Sequence, residues 1–382
     1  MTELEYEVLV VGGGPAGSAC AATLARAGVA VALLEKERFP REKICGDTLN
    51  PRAWHLLDRL GIGDELRAAR LTGIRNLRVF NTHGRQSSLE LPCDPAYPFI
   101  AVRRSVLDTI LLRHAAKLGT DVFESTSAET VSIAEVIAVQ ARCPDSPKHL
   151  KCLFLVGADG RNSLVAKKTG PHPSAATHYR HDGRIGLQWY TSRQPGLHSG
   201  LNLYVLPFGY FGIVHVDNET ANLAMVLDTR RADVSTKDLH DLIETIRAAN
   251  SAIDRDLGNL SPVSAVQTTS PITPRIRRGV SGNIRLVGDA RGLVEPFTGE
   301  GIFFALLDGI RAGEELVARL RGRKTVPSRS HSRFWVNNIF SPLLRHPRLA
   351  NAAVALGASY PSLTRFASRV VIPTERGGPA VA

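Results

Sequence analysis

Residues 7–17 read Glu-Val-Leu-Val-Val-Gly-Gly-Gly-Pro-Ala-Gly, and this stretch decides the fold. Residues 7–12 (EVLVVG) are a β-branched run of the kind that makes a buried parallel strand. Gly12-Gly13-Gly14-Pro15-Ala16-Gly17 sets a GxGxxG pattern directly behind it. Ser18 to Ala27, rich in Ala and Leu, predicts a helix, and Gly28 supplies its stop. Residues 29–34 (VAVALL) predict a second buried strand ending at Glu35, so the whole reads as one βαβ unit.

Each residue type in this unit has a physical task. Gly12 permits a tight turn, Gly14 lets the backbone approach a pyrophosphate, and Gly17 lets helix and strand pack closely. The helix that starts at Pro15 and Ala16 then faces phosphates with the free N–H groups that follow the proline. Glu35 stands 23 residues after Gly12, near the spacing of about 20 at which a carboxylate reaches a ribose diol. Lys36 beside it is a further candidate contact. The unit therefore predicts dinucleotide binding, and by itself it does not separate FAD from NAD.

Two later segments bear on that choice. Residues 153–160 (LFLVGADG) predict a strand ending in Asp159-Gly160, and residues 284–289 (IRLVGD) another ending in Gly288-Asp289. A strand ending in Asp puts a carboxylate at the carboxyl edge of an open α/β sheet, where ligands bind. Gly299, Gly301 and Ile302 follow at the start of a helix that offers its amides to the same edge.

In this order and at these separations, the three motifs resemble the FAD-dependent oxidoreductases of the aromatic-hydroxylase fold. The resemblance implies that the Gly12–Gly17 loop and Glu35 bind the ADP half of FAD. It also implies that Asp159-Gly160 lies at the pyrophosphate and that Asp289 holds the ribityl chain. Arg104, just before a predicted helix, is similar to that family's FAD-contacting Arg. One departure is Ala166, where the family's DGxxSxxR pattern carries Arg.

Residues 39–53 (FPREKICGDTLNPRA) and 288–302 (GDARGLVEPFTGEGI) look most like the geranylgeranyl reductases within that group. Aromatic hydroxylases usually carry His where Arg291 stands. Flavin-dependent halogenases resemble residues 39–53 but need a WxWxIP motif, and residues 203–208 (LYVLPF) contain no Trp. The reductase likeness implies that Cys45 lines the cavity near the flavin as proton donor or thiolate, its pKa lowered by Lys43. The alternative reading of Cys45 is a small buried hydrophobe. Arg41 and Lys43 read as phosphate or flavin-edge contacts. Tyr204, Pro207, Phe208 and Tyr210 read as an aromatic border of the flavin ring that receives the substrate, or alternatively as sheet core.

The architecture expected is α/β: a discontinuous Rossmann-like FAD-binding domain with an inserted, mostly antiparallel β substrate domain. The boundaries expected are 1–80, 98–172 and 272–325 for the first, and 81–97 and 175–270 for the second. A helical segment broken by prolines is expected over 330–372. The 382 residues fit two to three units at roughly 150 residues each.

The formal charge of +11, with 43% hydrophobic and 6% aromatic residues, describes a basic globular chain. No nucleic-acid motif accompanies the charge, and the aromatics are sparse for a stacking platform, so nucleic acid is not an expected partner. Five cysteines without a CxxC pair predict neither a disulfide framework nor a metal site. With acidic residues at the start and no long apolar run, the expectation is a cytoplasmic protein, with peripheral membrane contact through the basic, partly apolar region after residue 270.

The function expected is an FAD-dependent reductase acting on a carbon–carbon double bond of a prenyl, alkyl or polyketide-like substrate. A monooxygenase is the alternative, and a halogenase or a non-enzymatic flavoprotein stands further back. No second GxGxxG pattern serves a nicotinamide cofactor, so NAD(P)H would bind transiently or a redox protein would deliver the electrons.

Overall fold

A computed structural model of the chain describes residues 3–69, 71–91, 94–169, 183–197, 200–231, 238–270, 272, 275–277, 282–293, 299–323, 346–360 and 362. The first sheet grows from the quoted stretch. Strand Glu3–Val11 lies parallel between Val31–Leu34 on one side and Lys148–Gly157 on the other. Asp121–Phe123 extends the parallel set beyond Val31–Leu34. Lys148–Gly157 is long enough to serve two neighbours: its last residues pair with parallel Ile284–Leu286, its first with antiparallel Ile137–Arg142. The four residues of Val31–Leu34 are all buried, as an apolar run covered on both faces requires.

Helix Pro15–Arg26 and helix Gly301–Leu320 pack against one another over this sheet. Gly309 allows the approach, because a Cβ there would overlap the Ala16 carbonyl oxygen. Leu306 and Leu316 fill the seam with Leu24 and Ala19, all with no exposed surface. The Rossmann-like α/β class expected from the sequence is the one observed.

The second sheet runs Gln267–Thr269, Arg184–Ser192, Thr220–Asp228, Gly209–His215, Gly200–Leu206, Asn76–Phe80 and Gln86–Glu90, in that spatial order. Its pairings are antiparallel except for Gly200–Leu206 with Asn76–Phe80. Strand Asn76–Phe80, within the stretch 1–80 expected in the FAD-binding domain, pairs with the strands of this sheet. The hydrophobic period of two splits this sheet into two faces. Trp189, Tyr204, Phe211 and Leu223 pack under helices Leu239–Ala248 and Ser251–Asp256. Leu201, Leu203, Tyr210 and Val214 face a cleft shared with the first sheet. A three-strand ribbon, Thr48–Leu49, Ile100–Ala101 and Thr72–Gly73, lies between the two sheets in the chain's path.

Helix Pro347–Ser359 begins with proline at its first turn, which costs no hydrogen bond there. Asn351 holds it to Thr82, accepting from the Thr82 N–H at 3.0 Å and donating to its hydroxyl at 2.7 Å. Most of the expected helical segment 330–372, with Phe334, Trp335, Leu343 and Phe366, lies outside the described residues. Among the described residues, no helix is long and apolar enough to cross a membrane.

Candidate flavin and substrate site

The cleft between the sheets measures about 270 Å³. One end opens at Gly14, Pro15 and Ala16, the start of helix Pro15–Arg26. Two glycines shape that turn: a Cβ on Gly12, at φ +107°, would strike the Ala158 carbonyl, and one on Gly17 would overlap the Gly12 carbonyl. Glu35 braces the loop from behind, its Oε2 accepting the Gly13 N–H at 2.8 Å and its Oε1 the Glu37 N–H at 2.9 Å. Lys36 does not take part. It is 71% exposed and pairs with Glu37, because its strand has ended and its side chain leaves the sheet.

Above Gly14 the space is bounded by cations, since a Cβ there would sit 3.7 Å from Arg41 Nη2 and 4.0 Å from Lys43 Nζ. Asp108, fully buried, anchors the group. It accepts two bonds from Arg104, at 2.8 and 2.6 Å, and lies 3.3 Å from Arg41 Nη2. Burial opposes the Arg104 charge, yet Asp108 and Cys45 hold its pKa above the ordinary value. Burial, reinforced by the Arg104 charge, pulls Lys43 below the usual lysine range.

Farther along, Ala158, Gly160 and Arg161 line the cleft, while the Asp159 carboxylate is bonded to the following helix. Its Oδ2 accepts the N–H groups of Leu164 at 2.6 Å and Val165 at 3.2 Å, capping helix Leu164–Thr169. Its Oδ1 is buried without a hydrogen-bond partner. Gly288 and Asp289, in a turn after strand Ile284–Leu286, and Gly299, Gly301 and Ile302 close this end. Pro296, Phe297 and Thr298 lie outside the described residues. Arg291 is engaged with Asp308 at 2.8 Å.

The residues present fit FAD. Glycine backbone at a helix start beside Arg41 and Lys43 suits a pyrophosphate, and Asp289 with Gly299 and Gly301 leaves room for the flavin half.

The remaining wall brings Cys45 opposite the apolar sheet face. Cys45 keeps contact with the cleft and is enclosed by protein behind. Two strands of the second sheet hold its loop through cross-strand neighbours Tyr190 and Asn222. Asn222 Nδ2 donates to the Cys45 carbonyl at 2.8 Å, and Tyr190 Oη to Asp47 Oδ2 at 2.7 Å. Burial raises the Cys45 pKa, only partly offset by the Arg104 guanidinium against the sulfur. The expected thiolate made by Lys43 is therefore corrected: the group in contact is Arg104, and desolvation keeps the thiol protonated.

The aromatic border is corrected too. Tyr204 is fully buried on the far sheet face, stacked between Phe80 and Phe211 at centroid distances of 4.6 and 4.7 Å. Phe208 belongs to the same core, and Pro207 is exposed in the turn between strands. Of the four, Tyr210 alone lines the cleft, because the hairpin register pairs Tyr204 with Phe211 and so leaves Tyr210 on the opposite face. Asp47, Tyr190 and Asn222 escaped sequence reasoning. They carry no motif, and only strand pairing assembles them.

Fold and cleft together define a dinucleotide-binding flavoprotein. A sequence model described as an FAD binding domain matches residues 5–327, and the chain belongs to that family, with FAD as its cofactor. It is 30% identical over 380 residues to a menaquinone reductase of Mycobacterium tuberculosis, covering 96% of this chain and 90% of that one. It is also 30% identical over 319 residues to conditioned medium factor receptor 1 of Dictyostelium discoideum, covering 79% of this chain but only 61% of that protein's length. The structure of the myxobacterial chondrochloren halogenase superposes with a TM-score of 0.77 at 20% identity, over 96% of this chain and 90% of that one. At that identity the likeness shows the shared fold.

Proposed function

We propose that this chain reduces a carbon–carbon double bond in a hydrophobic substrate of prenyl, alkyl or polyketide-like skeleton. The observation that carries the reading is the place of Cys45 opposite an apolar sheet floor, where Leu201, Leu203 and Val214 line the same cleft and burial raises the thiol pKa. FAD, when bound and reduced, supplies the hydride. The chain's own residues do the rest. The floor excludes water and aligns an extended apolar chain. Cys45 holds the proton destined for the second carbon, and Arg104 stabilises the sulfur as the proton leaves.

The similarity to a menaquinone reductase supports this reading. The likeness of residues 39–53 and 288–302 to geranylgeranyl reductases points the same way. Electrons come from NAD(P)H docking transiently or from a redox protein. Contact with an anionic membrane would deliver an apolar substrate. Arg277, Arg319 and Arg321 of the basic region after residue 270 each donate to a backbone carbonyl within the fold, which holds their side chains in place and leaves their charge intact.

The test is oxygen. A reductase turns over anaerobically with reduced donor and consumes no O₂ coupled to product. Stoichiometric incorporation of oxygen into product would overturn the proposal and establish the monooxygenase reading.

A further inference from the structure

Helix Pro347–Ser359 turns one side to the protein and the opposite side to solvent. It packs on strand Gln86–Glu90, buries Ala350 and Val354, and is pinned to Thr82 by Asn351. With about 100° of rotation per residue, Leu349, Ala352, Ala353, Leu356 and Tyr360 fall within one arc of about 100° on the other side. All five are exposed. Leu349, Leu356 and Tyr360 are 52, 51 and 57% exposed, three of the eight large apolar side chains exposed among the described residues. Apolar side chains standing singly on a surface need no partner, but three aligned on one helix face with alanines between them form a patch.

Basic groups edge the patch. Arg348 is exposed on the flank of the helix that also carries Ser359, and Ser359 Oγ accepts from the exposed Arg85 at 2.8 Å. The surrounding chain has the same sign: from Leu316 to Thr374 there are ten Lys and Arg and no Asp or Glu. That imbalance selects the occupant. A second copy presenting this face would bring cation against cation. A lipid surface carrying phosphates is complementary, and a helix with an apolar face edged by Arg is the form that lies in a bilayer interface. The helix is not long and apolar enough to cross a membrane, so it would lie along the surface.

We propose that the outer face of helix Pro347–Ser359 docks this protein on an anionic membrane surface. Leu349, Leu356 and Tyr360 enter the headgroup layer, and Arg348 and Arg85 stand beside the lipid phosphates. The inference rests on the membrane contact in the reading above and names the surface that makes it. Asn351 has a part in this as well, since its two bonds to Thr82 hold the helix with its apolar arc outward.

The experiment uses flavin-loaded full-length protein without substrate or electron donor. Flotation with vesicles of phosphatidylcholine alone is compared with flotation with vesicles that also contain phosphatidylglycerol. The wild type should bind the anionic vesicles at least about tenfold more strongly, and the excess should vanish in about 1 M salt. Leu349→Gln combined with Leu356→Gln leaves the charge unchanged and should lose about tenfold of that binding while keeping its flavin. Ile133→Gln, which removes an exposed apolar side chain from the first sheet, should bind as the wild type does. Equal binding to both vesicles, or a double variant that binds like the wild type, overturns the proposal. A wild-type dimer that the double variant converts to monomer in sedimentation velocity overturns it as well and assigns the face to a second copy. Should the double variant fail to fold, hydrogen exchange of the wild type on anionic vesicles decides, because an unprotected peptide 347–360 overturns the proposal equally. Failure of the reductase reading is distinguishable, since oxygen would enter the product while vesicle binding stays as it is.

Discussion

Asn222 Nδ2 donates to the carbonyl oxygen of Cys45 at 2.8 Å, joining a strand of the second sheet to the loop behind the second parallel strand across 177 residues of chain. With Tyr190 on the paired strand, it fixes where the thiol stands relative to the cleft. Asn222→Leu should cost about 1 to 3 kcal/mol of stability, because a buried carbonyl loses its donor. Urea unfolding checks the stability, and faster Cys45 alkylation at pH 8 would show the loosened loop. Unchanged alkylation would mean that the bond does not position the thiol.

Gly12→Ala should abolish flavin retention, since the new Cβ meets the Ala158 carbonyl and the backbone is left-handed at that residue. The purified variant should lack the flavin absorbance near the visible maxima while its circular dichroism stays close to wild type. Gly73→Ala, where nothing lies within 4 Å of the new Cβ and the backbone is not left-handed, serves as the control and should keep its flavin.

Removing the anion shared by Arg104 and Arg41 should be expensive. Asp108→Asn leaves two guanidinium groups facing one another at a buried site, at a cost of about 3 to 5 kcal/mol. Denaturant titration measures it. A loss under 1 kcal/mol would show that water or another residue compensates the charge.

Asp47 makes stability depend on pH with a definite sign. Burial raises its folded pKa to about 7, above the unfolded value of 3.8, so between these limits the folded state binds more protons. Stability attributable to this group is therefore fully present below pH 4 and falls as pH rises toward 7, by about 2 to 4 kcal/mol. Asp47→Asn should flatten this fall, and comparison of unfolding at pH 5 and pH 8 in both proteins isolates it. A fall of equal size in the variant would assign it to other groups.

The two faces of the second sheet should respond oppositely to substitution. Ala224→Leu projects into the cleft and should raise KM for a long apolar substrate at least about tenfold while flavin binding persists. Tyr204→Phe, on the far face, gives up only the hydrogen bond from Asn202 at 3.1 Å. It should cost about 1 kcal/mol in stability and leave turnover within about twofold. A reversed pattern would return Tyr204 to the substrate site.

The nucleotide half was legible in the chain because its constraints are local. Gly12, Gly17 and Glu35 sit within one βαβ unit, and the tight turn, the close helix packing and the carboxylate each demand a residue type at a fixed separation. Parallel strands buried on both faces announce themselves as apolar runs, and Gly288-Asp289 repeats the same strand-end logic. The thiol's surroundings were not legible. Cys45 drew notice through its neighbours in sequence, but whether it faces Lys43 or Arg104 depends on how the Arg104 helix packs behind it. Tyr190 and Asn222 reach the loop only because their strands pair in one register, and Tyr204 lost its expected place because a period of two says which residues share a face, not which face meets the ligand. The sequence alone determined the family of fold, through short-range backbone sterics. Only the tertiary structure decided which side chains meet across the cleft, because desolvation and long-range pairing, which set the protonation of Cys45 and Asp47, exist only once the two sheets close on one another.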